Sequence, residues 1–498
     1  MTSTDNTAPK SAVPPTTATR RWAFLAIISA GLLLIGIDNS VLYTALPVLR
    51  EQLHTTELEG LWIINAYPLV ISALLLGTGT LGDRIGHRKM FLVGLTIFGF
   101  SSLAAAFAPS AWSLVAARGF LGLGAATMMP ATLALLRETF HNPREMATAI
   151  GIWSATATLG AATGPVVGGF LLEHFWWGSI FLINIPVVMF AIIGTLIFAP
   201  SNQPNPAKHW DFLTSLYAML VMLGLVSLIK EVAGHSSTAV IVTAIACGLV
   251  GAVLFRRRQA SLTEPLIDFS VFRSPMFTGG VLAAALAMFV LAGAELMTTQ
   301  RFQISVGYTP LDAGLLVATA ALASLPVGVI GGMVLHRVGF RTLITGGFLL
   351  NAVGLGFMYF GVSSGTFPLT IVGLLLLGAG AGSVMSVSST AIIGSAPRSK
   401  AGMAAAMESV SYEFGTLITV AITGSLLPLF YALFTPIDAS ISLTDALHTQ
   451  ALYDGARVGL DSAYLAILII LAVVAVIAAV VTAMAFRGNP KETKYAHE

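Results

Sequence analysis

Five ionisable residues lie deep inside long apolar stretches of this sequence. Four are acids, Asp38, Glu295, Glu408 and Glu413, and one is a base, Arg118. If those stretches span a membrane, each ionisable group costs roughly 2.5–3.5 kcal/mol on insertion scales, so each needs a compensating role. Such groups must face a polar cavity, pair with an opposite charge or, for the acids, hold a proton. A buried carboxyl that keeps its proton until a cation displaces it could exchange one for the other.

Each of these residues also has a purely structural interpretation. An acid could be hydrogen-bonded between two helices, and Arg118 could form an ion pair with a neighbouring helix. Glu408 and Glu413 are five positions apart, which is about 140° around a helix, so they do not share one face. The sequence does not tell which of the two faces a cavity.

A run of small residues interrupted by a proline occupies the fifth apolar stretch. Proline removes one helical hydrogen bond, and glycines allow a second helix to approach closely. We predict a tightly packed barrier element between two groups of helices, with ordinary small-residue packing as the alternative. Its defining residues are Gly160, Gly164, Pro165, Gly168 and Gly169.

Aromatic, thioether and amide side chains near the five charged residues could form a cavity for flat, lipophilic cations. Cation–π attraction and adaptable methionines favour such ligands, although most aromatics in a membrane protein only pack or face lipid. The candidate substrate-binding residues are Asn39, Tyr43, Trp62, Tyr67, Met128, Trp153, Phe289, Tyr412 and Phe414.

The composition requires a membrane. Of the 498 residues, 56% are apolar and only 10% charged, with a mean hydropathy of +0.86. An ordinary soluble domain carries about 25% charged residues. A soluble enzyme, a disordered chain, a coiled coil and collagen are therefore excluded, and a net charge of +2 argues against a nucleic-acid partner. A single cysteine, Cys247, allows no internal disulfide.

The apolar runs predict an all-α polytopic membrane protein with fourteen transmembrane helices, because a spanning helix needs about 20 apolar residues. The predicted spans are Trp22–Val41, Leu61–Leu81, Met90–Ala108, Trp112–Leu136, Ala147–Leu172, Ile180–Ala199, Phe212–Ile229, Thr238–Phe255, Met276–Met297, Ala313–Leu335, Leu343–Gly361, Phe367–Ile393, Ala401–Leu427 and Ala463–Phe486.

Basic residues predict the orientation. Apart from Arg118, only Arg50, Lys230, Arg301 and Arg457 of the 25 basic residues fall in the segments that face away from the termini. The remaining twenty lie on the side of the termini. By the positive-inside rule we expect both termini in the cytoplasm.

An internal repeat suggests two related halves. The pattern Arg-x-Gly-x-Arg after the second span, at residues 84–88, recurs after the tenth span at residues 337–341. Repeats in membrane proteins typically mean two pseudo-symmetric bundles with a site between them. We predict a cytoplasmic tail at 1–20, a six-helix bundle at 21–199, a linker with two inserted helices and a loop at 200–273, a second bundle at 274–486, and a tail at 487–498.

Several classes of chemistry lack their motifs. The sequence has no His-Glu-x-x-His, nucleotide P-loop or Gly-x-Ser-x-Gly motif, and no cluster of histidines inside an apolar stretch. We therefore expect no enzyme activity, no cofactor and no metal site. Without a nucleotide site, transport would take its energy from an ion gradient.

Four segments carry a family resemblance: Gly79–Lys89 after span two, Gly160–Gly169 in span five, Asp38–Pro47 at span one, and Phe181–Pro186 at span six. In these segments the chain resembles the fourteen-span drug:proton antiporters of the major facilitator superfamily, which include quaternary-ammonium efflux pumps. The resemblance extends from about residue 20 to 486. It departs at Leu121, where the family often has glutamine.

The resemblance implies roles that spacing alone does not. It makes Arg118 a proton-linked arginine, and it makes Asp38 and the acids of span thirteen the proton or cation carriers. A conformational latch on the cytoplasmic side would comprise Asp83, Arg84, Gly86 and Arg88. In the second copy of that motif His336 stands where Asp83 stands in the first, and in the span-one signature Tyr43 stands where asparagine is usual.

These observations together predict a proton-coupled efflux antiporter that exports lipophilic cations by alternating access. Its partners would be a small-molecule drug, protons and the lipid bilayer, and we expect a monomer. The alternatives are an exporter of an endogenous metabolite, antibiotic or peptide, and a membrane receptor or scaffold that does not transport.

Overall fold

The computed structural model describes residues 17–207, 210–233, 238–262, 265–397, 400–437 and 452–491, and within them every regular element is a helix. The all-helical prediction is confirmed. The helices are α1 (Ala18–Gln52), α2 (Glu57–Ile85), α3 (His87–Ala106), α4 (Ala111–Thr139), α5 (Pro143–His174), α6 (Ser179–Leu182), α7 (Asn184–Phe198), α8 (Phe212–Ala233), α9 (Thr238–Ser261), α10 (Pro275–Ile304), α11 (Pro310–Val338), α12 (Phe340–Ser363), α13 (Phe367–Gly394), α14 (Ala401–Phe434) and α15 (Tyr453–Ala485).

Among the described residues, 13 helices are long and apolar enough to cross a membrane, counting α6 and α7 as one. The remaining predicted span corresponds to α5, a single helix of 32 residues. At 1.5 Å per residue such a helix is about 48 Å long, which exceeds the bilayer core. The chain is therefore a multi-pass membrane protein.

The helices extend beyond the predicted spans. α1 continues past Val41 to Gln52, and α15 begins at Tyr453 rather than Ala463. The predicted outer segment Pro428–Ser462 is therefore partly helical, and its residues 438–451 lie outside the described part of the chain. Apolar composition marks only the part of a helix in hydrocarbon, whereas the hydrogen-bond ladder continues into the polar layers.

Polar caps fix where several helices begin. Thr56 and Glu59 form a reciprocal capping box at the start of α2, in which the Thr56 hydroxyl accepts from the Glu59 amide at 3.2 Å. At α11 the Thr309 hydroxyl accepts from the amide of Asp312 at 3.1 Å. Each cap satisfies a backbone donor that the helix leaves without a partner, which places the turn between spans.

The contacts divide most helices into two groups. In the first, α1 packs on α5 and α7, α2 packs on α4, and α3 packs on α4 and α7. In the second, α12 packs on α13 and α15, and α10 packs on α13, α14 and α15. We call these groups the N bundle (α1–α7) and the C bundle (α10–α15). We call the face that carries Ala18 and Ala485 the tail face, and the opposite one the far face.

The two remaining helices, α8 and α9, pack closely on each other because Gly224 and Gly248 let their backbones touch. α8 also lies against α2 of the N bundle and α14 of the C bundle. Leu69, Val226 and Leu417 from these three helices belong to one buried apolar cluster. The inserted pair therefore covers one seam between the bundles.

The bundles are joined near the far face. The Thr299 hydroxyl of α10 donates to the Tyr43 carbonyl of α1 at 3.0 Å, and the Gln303 amide donates to the Thr44 carbonyl at 3.0 Å. On the opposite seam, α5 meets the start of α11, where Gly169 lies against the backbone of Leu311. The structure is therefore closed at the far face.

The loop between α2 and α3 turns at Gly86, whose φ of +92° favours glycine. Asn202, just after α7, holds this turn. Its Nδ2 donates to the Ile85 carbonyl at 2.8 Å, and its Oδ1 accepts from the Lys89 amide at 3.1 Å. The end of the last N-bundle helix is thereby tied to the loop between the second and third.

The loop between α11 and α12 repeats this arrangement in the C bundle. Gly339 has a φ of +86°, and Asn489, just after α15, takes the place of Asn202. The Asn489 Nδ2 donates to the Val338 carbonyl at 2.9 Å, and its Oδ1 accepts from the Thr342 amide at 3.4 Å. The sequence repeat therefore corresponds to the same structural unit in both bundles.

The four basic residues predicted on the outer side lie in the parts of helices that extend beyond the predicted spans. Arg50 is in the last turn of α1, and Arg457 lies near the start of α15. Lys230 and Arg301 are buried in α8 and α10. Arg301 makes two hydrogen bonds to Asp461, at 2.8 and 3.3 Å, which join α10 to α15. Structural pairing therefore explains part of the positive charge near the far face.

The contact between α5 and α11 generates a prediction about stability. A methyl group at Gly169 would meet the Pro310 carbonyl at 2.6 Å and the Leu311 backbone, so Gly169→Ala should separate the bundles at the far face. We expect a loss of about 1–3 kcal/mol, as for other overpacked sites, measured as a lower apparent melting temperature in detergent.

The matched control lies on the same helix. A methyl group at Gly151 meets nothing within 4 Å, so Gly151→Ala should leave the melting temperature unchanged or raise it slightly. Equal losses for both variants would contradict the proposed role of the α5–α11 contact.

Candidate functional site

An ion pair lies in the interior of the N bundle. Arg118 of α4 donates through Nη1 to the Asp38 carboxylate of α1, and neither residue is exposed. Asn184 at the start of α7 donates to the other Asp38 oxygen at 3.2 Å, and also to the Ser102 hydroxyl of α3 at 3.1 Å. Two candidate proton-coupling residues thus join four helices.

The guanidinium of Arg118 has further partners within the N bundle. Its Nε donates to the Ile63 carbonyl at 3.3 Å, and its Cζ lies 4.4 Å from the centre of the Tyr67 ring. The Tyr67 hydroxyl donates to the Ile35 carbonyl at 3.4 Å. Within the described part of the chain, Arg118 Nη2 has no hydrogen-bond partner. One donor of the buried cation is therefore left for another group.

Two candidate acids face this arrangement from the C bundle. Glu295 of α10 and Glu413 of α14 are both half-buried, and both lie within electrostatic range of Tyr43 of α1. Glu413 is also within range of Arg118. Its Oε2 has no hydrogen-bond partner among the described residues. The seam between the bundles thus brings together two carboxyls, an arginine and a tyrosine from four different helices.

Glu408 lies one and a half turns closer to the tail face and has a different environment. Its carboxylate accepts from the Tyr412 hydroxyl at 3.1 Å, and that hydroxyl is 3.2 Å from the Met385 carbonyl of α13. Glu408 is half-buried. The structure therefore separates the two acids of α14, as their spacing predicts, with Glu413 nearer to Arg118.

The small residues of α5 contact two helices in turn. Methyl groups at Gly160, Gly164 and Gly168 would meet Leu33, Ser40 and Val41 of α1. On another side of the same helix, the backbone of Pro165 lies against Gly314 of α11, as Gly169 does against Leu311. α5 is therefore packed closely against α1 of its own bundle and against α11 of the C bundle, on the seam that α8 does not cover.

The predicted latch residues make contacts within the N bundle. The Asp83 carboxylate is 3.2 Å from His87 Nε2, one turn further along the chain, and Arg88 donates to the Leu196 carbonyl at 2.9 Å. Arg84 is exposed at the tail face. With the far face closed, none of these contacts between described residues reaches the C bundle.

The remaining candidate ligand residues are dispersed. Met128 is fully buried in the N bundle, where it packs beside Gly31 and Gly94. Trp153 donates through Nε1 to the Thr132 hydroxyl at 3.0 Å, joining α5 to α4. Half-buried positions are taken by Asn39, Phe289 and Phe414.

Trp62 is covered by a residue of the inserted pair. Lys230 Nζ lies 3.9 Å from the centre of the Trp62 ring, and Lys230 is only 4% exposed. Within the described residues, the amino group has no hydrogen-bond partner. One face of the Trp62 ring is therefore already covered by the Lys230 side chain.

Asn184 is the site residue that sequence reasoning missed. A signal was present, since Asn184 lies in the segment Phe181–Pro186 that carries part of the family resemblance. An amide does not stand out by charge, and its two partners on α1 and α3 lie far away in sequence. Among the described residues, no group of three or more His, Cys, Asp or Glu side chains is arranged to hold a metal ion.

The arrangement is suited to holding a cation and to changing charge. Carboxyls without a partner among the described residues can attract a cationic ligand or hold protons between the bundles, whereas the Tyr43 ring beside them is buried. The buried Asp38–Arg118 pair is neutral as a unit, so it adds no net charge to the seam. The charge of the site therefore depends on the protonation of Glu295 and Glu413.

Comparison with known proteins identifies the family. A family model described as Major Facilitator Superfamily matches residues 28–304 and 282–498. The multidrug efflux pump LfrA of Mycolicibacterium smegmatis is 35% identical over 95% of this chain and 97% of its own. The methyl viologen resistance protein SmvA of Salmonella typhimurium is 37% identical over 87% of this chain and 86% of its own.

A solved structure has the same fold. It is a bacterial homolog to the human lysosomal transporter Spinster, in an inward-facing and unoccupied conformation, with a TM-score of 0.64 and 17% identity. The match covers 95% of this chain and 98% of that one. With two bundles related by an internal repeat and family matches over nearly its whole length, this chain belongs to the major facilitator superfamily.

Proposed function

We propose that the protein exports lipophilic cationic drugs in exchange for protons, by alternating access of the seam between the bundles. The observation that carries the proposal is that Glu295 and Glu413 lie across that seam from Tyr43, and that Glu413 also lies within electrostatic range of Arg118. A structural acid would be expected to have both oxygens paired, whereas Glu413 Oε2 has no partner among the described residues. A carboxyl with a free oxygen at this position is available to a proton or a cation.

The basic residues favour one orientation in the membrane, and we infer the direction of transport from that orientation. With the tail face in the cytoplasm, as the positive-inside rule favours, the far-face contacts of Thr299 and Gln303 close the outer side of the seam. A cation enters from the cytoplasm to the deprotonated acids. After the bundles rock about the seam, external protons replace it and return inward.

Both components of the proton gradient could drive this cycle. One pH unit is worth about 1.4 kcal/mol per proton, and 100 mV adds roughly 2.3 kcal/mol for each net charge moved. Exchange of two protons for one monovalent cation would use both components. Two carboxyls on the seam, Glu295 and Glu413, provide the sites that such a ratio requires.

The names of the relatives favour a cationic drug as the substrate. SmvA is named for resistance to methyl viologen, a flat dication, and LfrA is named as a multidrug pump. Two carboxyls beside Tyr43 suit a dication better than one would, because each can approach a different positive centre. We therefore propose that dications are bound through both acids and monocations mainly through one.

The family resemblance supplies the remaining roles in the proposal. Asp83, Arg84, Gly86 and Arg88 form the cytoplasmic latch, which engages when the tail face closes. Gly164 and Pro165 keep α5 packed against both bundles and so limit leakage. We further propose that a monomer in the bacterial cytoplasmic membrane is the working unit. An exporter of an endogenous metabolite is the second candidate, and unchanged drug sensitivity after deletion of the gene would favour it.

The first prediction concerns proton coupling. In proteoliposomes that report internal pH, ethidium or a quaternary ammonium added on one side should drive proton release by the wild-type protein. Glu413→Gln should reduce this release about tenfold, equivalent to ~1.4 kcal/mol, because the amide neither titrates nor carries a charge. Glu408→Gln and Glu295→Gln are measured in parallel.

Glu51→Gln serves as the matched control, because Glu51 is an exposed acid at the far end of α1. It should leave proton release unchanged. Normal coupling in all three variants of the α10 and α14 acids would overturn the assignment of proton carriers.

A second prediction separates structure from coupling at the Asp38–Arg118 pair. Arg118→Gln leaves a buried carboxylate without its cation and should cost about 3–5 kcal/mol, seen as low yield and early melting. Combining it with Asp38→Asn removes both charges, so folding should recover. If the pair takes part in proton coupling, as the family resemblance implies, drug-driven proton release stays low in the double variant. Recovery of transport together with folding would make the pair purely structural.

A third prediction concerns substrate charge. If a dication uses both acids, Glu295→Gln should weaken competition by methyl viologen about tenfold, or ~1.4 kcal/mol. Competition by a monovalent quaternary ammonium should weaken less. The measurement is inhibition of ethidium transport by each compound, and equal effects on the two classes would refute binding through both carboxyls.

A further inference from the structure

A pocket lies at the tail face, away from the seam between the bundles. It has a volume of about 490 Å³ and lies between the end of α9 and the connection from α9 to α10. It is lined by Phe255, Arg256, Gln259, Ala260, Pro265, Ile267, Asp268 and Phe269. Its walls are apolar where α9 leaves the hydrocarbon and polar beyond that point.

The polar wall contains a buried donor without a partner. Gln259 is only 6% exposed, and its Oε1 accepts from the Leu266 amide at 3.0 Å. Its Nε2 has no hydrogen-bond partner within the described ranges of the chain. A buried amide donor left unpaired is costly, so a ligand that supplies an acceptor would be stabilised there.

The neighbouring charges favour an anion. Arg256 lines the pocket and is exposed, whereas Arg258, two positions further on, is paired with Asp211 at 3.0 Å. The one lining carboxylate is that of Asp268, and its negative charge is already compensated by Lys400. Hydrogen bonds from Lys400 and from Ser270 hold its pKa below the usual range, so it stays ionised and paired. The available charge in the pocket is therefore that of Arg256.

The apolar side of the pocket continues along the membrane-facing surface. The Phe269 side chain is 60% exposed beside the pocket. From Phe255 toward the membrane centre, α9 presents exposed Val253, Val250 and Leu249. A ligand with an anionic head near Arg256 could therefore lay an apolar chain along α9. A free anion would leave this surface unused.

We infer that this pocket binds an anionic phospholipid of the tail-side leaflet, with its phosphate between Arg256 and Gln259 Nε2 and an acyl chain along α9. The site touches the C bundle, because the Lys400–Asp268 pair ties the connection to the start of α14. The Asp268 amide also lies 3.4 Å from Met403 Sδ of α14. Bound lipid would thus contact a connection that is tied to the helix carrying Glu408 and Glu413.

The test is lipid retention by the purified full-length protein, measured by native mass spectrometry after exchange between phosphatidylglycerol and phosphatidylcholine. The wild type should retain phosphatidylglycerol preferentially. Arg256→Gln should lower that preference about fivefold, as expected for one arginine near an anionic surface. Gln259→Glu should lower it similarly, because it keeps the acceptor for Leu266 but replaces the free donor with an oxygen.

Arg257→Gln is the matched control, since Arg257 is the adjacent exposed arginine and does not line the pocket. It should retain the wild-type preference. An equal loss of the phosphatidylglycerol preference in Arg256→Gln and Arg257→Gln would mean that positive charge attracts anionic lipid without a specific site. That result would overturn the proposed site. Absence of any preference in the wild type would overturn it as well.

A further arm separates lipid from free phosphate. Phe269→Ser should weaken phosphatidylglycerol retention, and millimolar inorganic phosphate should compete poorly with the lipid. Full displacement by phosphate, with no effect of Phe269→Ser, would reject the lipid. Lipid retention is compared only among variants whose melting temperatures equal that of the wild type. Gln259→Glu preserves the hydrogen bond from the Leu266 amide, so a loss of lipid binding in this variant does not reflect a loss of folding.

Discussion

The buried pair of Asp38 and Arg118 is the constraint on which the N bundle depends. A lone arginine inside a bilayer is unfavourable, so its position is fixed by the carboxylate that accompanies it. Asn184 and Ser102 extend the same network to α7 and α3. This fixes the rotation of α1 about its own axis. With that rotation, Tyr43 points its backbone carbonyl to α10, and Ser40 and Val41 face the glycines of α5.

The two bundles thus contain ionisable groups of different kinds. In the N bundle the charges are buried and compensate each other, which favours a rigid unit. In the C bundle Glu295 and Glu413 are half-buried and placed at the seam, and Glu413 lies within electrostatic range of Arg118. A rigid half and a half with titratable acids suit a transporter in which ligand charge decides the relative position of the bundles.

Much of the fold could be predicted from the sequence, because hydrocarbon imposes a length and a composition on every spanning helix. The packing of α5 could also be anticipated from its glycines. Side-chain partners could not. Asp38 and Arg118 are 80 positions apart, and nothing local indicates that they meet. The burial of Met128 in the N bundle could not be predicted either, because a buried methionine and one at a cavity wall look identical in sequence.

The asparagines after α7 and α15 illustrate a signal that was available but faint. Asn202 and Asn489 hold corresponding loops, yet the chain between the loop and its asparagine is longer in the C bundle than in the N bundle, so the two asparagines do not share the offset of the loops. Comparison of the two halves as separate sequences would have revealed them. The contact between Lys230 and Trp62 could not be found by comparing the two halves, because the inserted pair of helices occurs only once in the described chain.

The inserted pair makes the two sides of the molecule unequal toward the surrounding lipid. α8 lies across α2 and α14 and shields that boundary, whereas within the described part of the chain neither α8 nor α9 packs on the boundary between α5 and α11. Lipid therefore contacts the boundary between α5 and α11 directly, whereas α8 separates lipid from the boundary between α2 and α14.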